Sequence, residues 1–146
     1  MKNKAKLISV IAVFITLCTF MTGCSLIGIG KPSSLEEYLY DDMVQRKLSV
    51  QVSAMNKLGN DIYDEVTLYV EEDTKLVYDF RFKNNPELNY LFFSDTIQET
   101  MNAPDFDKQF EQSLKGVRNS VGDGSITFII RYRGSDGKIV GEKEVG

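Results

Sequence analysis

Between Asp105 and Gly122 the apolar residues keep a helical period, and on both sides of that segment they alternate. Phe106, Phe110, Leu114, Val117 and Val121 fall within about 80° of one another at 100° per residue, with Lys108, Glu111, Lys115 and Arg118 on the other side. A helix with so wide an apolar face has to lie on something. The alternating runs supply a sheet. Glu65 to Glu72 places Val66, Leu68 and Val70 on one face, and Lys75 to Phe82 sets Leu76, Tyr78, Phe80 and Phe82 opposite Val77, Asp79 and Arg81. Joined at Asp73-Thr74, these runs read as a β-hairpin. Ser125 to Arg133 sets Ile126, Phe128, Ile130 and Tyr132 against Thr127, Ile129, Arg131 and Arg133. Gly134-Ser135-Asp136-Gly137 then turns the chain into a last strand, Lys138 to Val145, which predicts a second hairpin.

The remaining elements follow from local signals. Ser34-Leu35-Glu36-Glu37 is a capping box opening a short helix with Leu35, Tyr38, Leu39 and Met43 on one side. Leu48, Val50, Val52 and Ala54 alternate with Ser49, Gln51 and Ser53, which predicts a half-buried strand. Gly59-Asn60-Asp61 marks a turn. Asn85-Pro86-Glu87 and Ala103-Pro104-Asp105 each suit a helix start, since proline is tolerated in the first turn. Gly122-Asp123-Gly124 stops the long helix. The expected order is α-β-β-β-α-α-β-β: an α+β domain whose antiparallel sheet of four to five strands carries helices on one face.

The amino terminus has a different character. Lys2, Lys4 and Lys6 precede the uncharged run Leu7 to Met21, and Thr22-Gly23-Cys24 follows. A basic start, an apolar core and a small residue before the cut describe a secretory signal. The stretch resembles a bacterial lipoprotein signal, although Met21 stands where leucine is commoner. The resemblance implies a diacylglyceryl thioether on Cys24 and cleavage before it. Two acyl chains, at about 0.8 kcal/mol per buried CH₂, anchor stably. The alternative is an uncleaved transmembrane helix over Leu7 to Gly30, since a span needs about 20 apolar residues. Either reading places the rest of the chain outside the cytoplasm. Palmitate labelling that persists in Cys24→Ala would overturn the lipid reading.

The expected parts are a signal peptide over 1–23, a lipidated cysteine and tether over 24–34, and one domain over 35–146. Cys18 would leave with the signal, so no disulfide and no thiol chemistry remain. Losing three lysines and no acid takes the formal charge from −4 to −7. An acidic domain does not suit nucleic acid, which asks for a basic footprint, and it repels an anionic membrane surface rather than gripping it, so the lipid must do the anchoring. The tether, SLIGIGKPSS from Ser25 to Ser34, spans roughly 17 Å on average as a coil, which keeps the domain near the membrane.

From Ser34-Leu35-Glu36-Glu37-Tyr38 to the final strand, the chain is similar to small Gram-positive lipoproteins with an uncharacterised C-terminal α+β domain. They share that opening, a long helical middle, and a strand, Asp136-Gly137 turn and short last strand. The resemblance implies a fold and an anchor and lends no catalytic residues.

There is no histidine. That removes Ser-His-Asp and Cys-His catalysis, most zinc sites and the usual base near neutral pH. No glycine-rich phosphate loop follows a strand. Glu71-Glu72-Asp73 reads as a solvated turn, Asp105 and Asp107 as charge favoured at a helix start, and Asp123 lacks the spacing of a calcium loop. No catalytic, metal or cofactor residue is nominated. The segment Tyr90, Leu91, Phe92 and Phe93 resists a purely structural account. Leu88, Leu91 and Phe92 share one helical face, and Phe93, Ile97 and Met101 nearly the opposite one. Such a helix is buried on both sides or offers one to a partner, rimmed here by Asp95 and Glu99.

The function expected is a non-catalytic, lipid-anchored module on the outer face of the cell membrane, holding a membrane or envelope protein. The alternative is a small-ligand carrier or sensor with a pocket between sheet and helices, which Tyr78, Phe80, Phe82 and Phe128 could line, although their alternating positions favour core. A pocket of roughly 300 Å³ or more would favour it. A carboxylate hydrolase comes third and needs two facing acids in a cleft.

Overall fold

The computed structural model describes residues 32–58, 63–84 and 90–146, with the backbone alone at 58 and 90–93. The element order is α1 (Leu35–Tyr40), α2 (Asp42–Leu58), β1 (Tyr63–Glu71), β2 (Lys75–Phe82), α3 (Tyr90–Met101), α4 (Lys108–Val121), β3 (Thr127–Arg133) and β4 (Ile139–Val145).

Ser34 caps α1 as its sequence predicts, its Oγ accepting the Glu37 N–H at 3.0 Å. The Glu37 carboxylate reaches back one residue further than in a capping box, accepting the N–H of Ser33 at 2.8 Å. The Ser33 hydroxyl also donates to it, and these bonds hold its pKa below the usual glutamate value. The chain breaks at Asp41 and restarts, because the Asp41 carboxylate accepts the N–H groups of Met43 and Val44 at 2.9 and 3.3 Å.

This restart corrects two expectations. Leu48 to Ala54 is not a strand but lies inside the helix α2. The row that is buried is Val44, Leu48, Gln51 and Met55, a helical spacing, while Val50 is 70 % exposed. A cap at Asp41 and four buried positions at helical spacing outweigh an alternation only seven residues long. Met43, assigned to the buried side of the first helix, belongs to α2 and is exposed. The order is therefore α-α-β-β-α-α-β-β.

The sheet has four strands in the order β1-β2-β3-β4. Both hairpins are antiparallel as expected, but β2 and β3 pair in parallel, Leu76 opposite Phe128 and Phe80 opposite Tyr132. The sheet is thus mixed rather than antiparallel throughout. The reason lies in the connection: α3 and α4 carry the chain from the end of β2 back to the end where β2 began, which forces the next strand to run alongside it.

One face of the sheet is covered. Leu76, Tyr78, Phe80, Phe82, Phe128, Ile130 and Tyr132 join Leu39, Leu48, Ile97, Phe110, Leu114 and Val117 in a single buried cluster. The aromatic rings pack on each other: Phe80 stacks on Tyr132 at 5.0 Å and Tyr63 on Phe82 at 5.4 Å, while Tyr63 meets Phe80 tilted at 5.4 Å. The long helix keeps its predicted face, with Phe110, Leu114, Val117 and Val121 all buried. Gly122, at φ 77°, ends it by donating to the Arg118 carbonyl at 2.7 Å.

Two devices fasten β4 beneath α3 and α4. At Gly141 a Cβ would stand 2.7 Å from Ile97 Cγ2, so the α3 side chain packs directly on strand backbone. Lys143 donates to the Met101 carbonyl at 2.6 Å, pairs with Asp107 at 2.8 Å and lies 5.2 Å from the Phe106 ring centroid.

Candidate functional site

On the sheet's other face the alternating positions carry charge. Register places Thr67, Asp79, Arg131 and Glu142 in one row across all four strands. Arg131 is the centre of a lattice. Its guanidinium donates to both oxygens of Glu71, at 2.7 and 3.0 Å, to the Tyr69 hydroxyl at 2.7 Å, and to Glu142. Tyr69 passes its own proton toward Asp79 at 2.7 Å. Asp79 also receives Arg133 Nε on both oxygens, at 3.1 and 2.9 Å, and Arg133 reaches the Gly137 carbonyl at 2.9 Å.

Every hydrogen bond in this lattice is charge-assisted, so geometry and electrostatics reinforce each other. The Arg131 hydrogen bonds hold the Glu71 carboxyl below its usual range. The same Glu71 pairing raises Arg131, and Asp79 raises Arg133. Tyr69 is pushed up, first by burial and then by donating to Asp79. Beneath these long side chains Val77 and Ile129 are buried, outside the core cluster that the helices cover. The result is a charged face rimmed by the exposed Ile139 and Glu144.

A sizeable cleft among the described residues lies elsewhere. About 800 Å³ is bounded by α4 and the end of β4, with Asp107, Glu111, Lys115, Arg118 and Asn119 along the helix and Val145 and Gly146 opposite. It is not the pocket expected between sheet and helices: Tyr78, Phe80, Phe82 and Phe128 are at most 1 % exposed and form core.

Of the sequence-derived candidates, Cys24 lies outside the described residues, as do the Leu7 to Gly30 run, the Gly59-Asn60-Asp61 turn and the Asn85-Pro86-Glu87 start. Tyr90, Leu91, Phe92 and Phe93 form the first turn of α3, where the backbone alone is described. Further along α3, Ile97 and Met101 are buried while Asp95 and Glu99 are exposed. Glu71 departs from its reading as part of a solvated turn: it is bound to Arg131, and only Glu72 and Asp73 make the tip. Asp123 uses its carboxylate on the N–H and hydroxyl of Ser125. Among the described residues no group of three acids or cysteines is placed to hold a metal ion, and no helix is long and apolar enough to cross a membrane.

The lattice was half visible in the sequence. Asp79, Arg131 and Arg133 stand on the non-core side of their strands by alternation alone. Their partnership depends on the parallel register of β2 and β3, which no local signal announces.

No curated protein and no solved structure matches the chain. Residues 35–145 match the family described as a domain of unknown function (DUF4854), and the chain belongs to that family.

Proposed function

We propose that this chain is a non-catalytic, lipid-anchored extracytoplasmic lipoprotein that binds a membrane or envelope protein across the open face of its sheet. One observation carries the reading: on the charged face of the sheet Arg131 ties side chains of β1, β3 and β4 into a preformed lattice. A preorganised charged surface of this kind loses little conformational freedom when a partner docks. The signal-like amino terminus ending at Gly23-Cys24 supports the anchor.

The test is cross-linking in native membranes with the full lipoprotein, against a Cys24→Ala control. A partner captured by the anchored chain and lost in Ile139→Asp/Glu144→Lys, two exposed rim positions, supports the reading. Capture that is indifferent to these changes overturns the sheet as the binding face. Palmitate labelling that requires Cys24 tests the anchor independently.

The cleft along α4 favours a second reading, a small-ligand carrier. Its volume exceeds the roughly 300 Å³ of a small-molecule site, and its lining mixes both charges. Thermal stabilisation by a zwitterionic or anionic ligand, abolished by Lys115→Glu, would support that reading over the first.

A further inference from the structure

The helix layer carries a patch that neither the core nor the Arg131 lattice uses. Among the described residues four large apolar side chains are exposed: Tyr40, Met43, Val50 and Ile139. Three of them cluster at the start of the domain, Tyr40 ending α1 and Met43 and Val50 on α2. At 100° per residue Met43, Lys47, Val50, Ala54 and Lys57 fall within about 80° of one another. This stripe flanks the buried row of α2 instead of continuing it.

Its charge sets it apart from the domain as a whole. α2 holds Arg46, Lys47 and Lys57 against a single acid, Asp42, in a chain of negative formal charge. The helix α4 is as basic, but none of its large apolar residues is exposed. Among the described helices only α2 combines exposed apolar side chains with excess positive charge, the pattern of a helix that lies in a bilayer interface.

We infer that the α2 stripe rests on the anionic phospholipid surface of the bilayer that holds the Cys24 lipid. The inference rests on the anchor reading above. Two observations name the occupant. First, the eight residues from Cys24 to Lys31 span at most about 28 Å, and α2 starts ten residues after Pro32 with only the six-residue α1 between them. The stripe therefore cannot lie far from the anchored end. Second, its basic residues complement anionic headgroups, while the acidic remainder of the domain is repelled by them. Attraction on one side and repulsion elsewhere turn the domain so that α2 faces the membrane. The Arg131 lattice, on the far side of the sheet from the helices, is then left open for a protein partner.

The chain contains no tryptophan, so single tryptophans report position. Val50→Trp and Ile139→Trp, both at exposed sites, are made in the full-length acylated lipoprotein. Each is reconstituted in phosphatidylcholine vesicles with and without phosphatidylglycerol, and quenching by brominated lipid is read. The expected result is a blue-shifted Val50→Trp emission, quenched severalfold more than that of Ile139→Trp when phosphatidylglycerol is present. Adding Arg46→Glu/Lys47→Glu/Lys57→Glu should bring the quenching down to the Ile139→Trp level. Equal quenching at the two positions, with palmitate label requiring Cys24, overturns the docking and leaves the anchor standing. Absence of that label removes the anchor and this inference with it. Protein cross-links from position 50 in native membranes without lipid quenching would show a protein occupant and overturn the inference as well.

Discussion

Single residues in this domain carry more than their type suggests. Glu72 and Asp73 both have positive φ, 50° and 62°, at the tip of the first hairpin. A side chain other than glycine, asparagine or aspartate is disfavoured there. Glu72→Gly should stabilise the domain by about 0.5–1 kcal/mol, seen as a higher urea midpoint with unchanged slope. Arg131→Met should do the reverse, since it leaves Glu71 and Glu142 without the cation they share and Asp79 with the Arg133 cation alone. A loss of about 3 kcal/mol is expected by urea unfolding. The lattice also sets an acid response. The folded-state pKa of Glu71 is lowered from 4.5 by Arg131, so its contribution is fully present above the unfolded value and fades as pH falls through the folded one. Urea midpoints measured from neutral pH down to about pH 3 should decline, and Glu71→Gln should flatten that decline. Equal slopes in both proteins would show that the pairing is not sensed by stability. Alternation put Arg131 on the non-core face. Its three partners come from β1 and β4, and no pattern within β3 could name them.

At the scale of elements, the fasteners decide how helices meet the sheet. Gly141→Ala places a methyl group 2.7 Å from Ile97 Cγ2, and α3 must shift to admit it. The expected cost is about 1–3 kcal/mol, measured by thermal or urea unfolding. In an Ile97→Ala background, which removes Cγ2, the cost of Gly141→Ala should shrink, which a purely local strand effect would not allow. Elements with both a cap and a sustained period were readable directly: the Ser34 cap, the apolar face from Phe106 to Val121, the Gly122 stop and both hairpins. The segment from Leu48 to Ala54 was misread because β-branched Val50 and Val52 imitate alternation. The deciding cues, the Asp41 cap and the row from Val44 to Met55, lie mostly outside the misread window.

For the whole molecule, a single buried cluster spans all four helices and the sheet, so unfolding should be one transition. Near- and far-ultraviolet circular dichroism should give coincident urea curves. Separate curves would divide the α1–α2 layer from the rest. The parallel pairing of β2 with β3 closes the longest loop in the sheet, a contact that folding must reach late and slowly. By itself the sequence determined the α+β class, both hairpins, the long helix with its core face, and the absence of histidine-dependent chemistry. Those features depend on periodicity, caps and composition, all of them local. The tertiary structure decided the parallel centre of the sheet, the Arg131 lattice, the filling of the space between sheet and helices by Tyr78, Phe80, Phe82 and Phe128, and the basic apolar stripe on α2. Each of these depends on which distant segment a residue meets. Alternation says which side of a strand faces inward, but only the assembled sheet says what stands beside it.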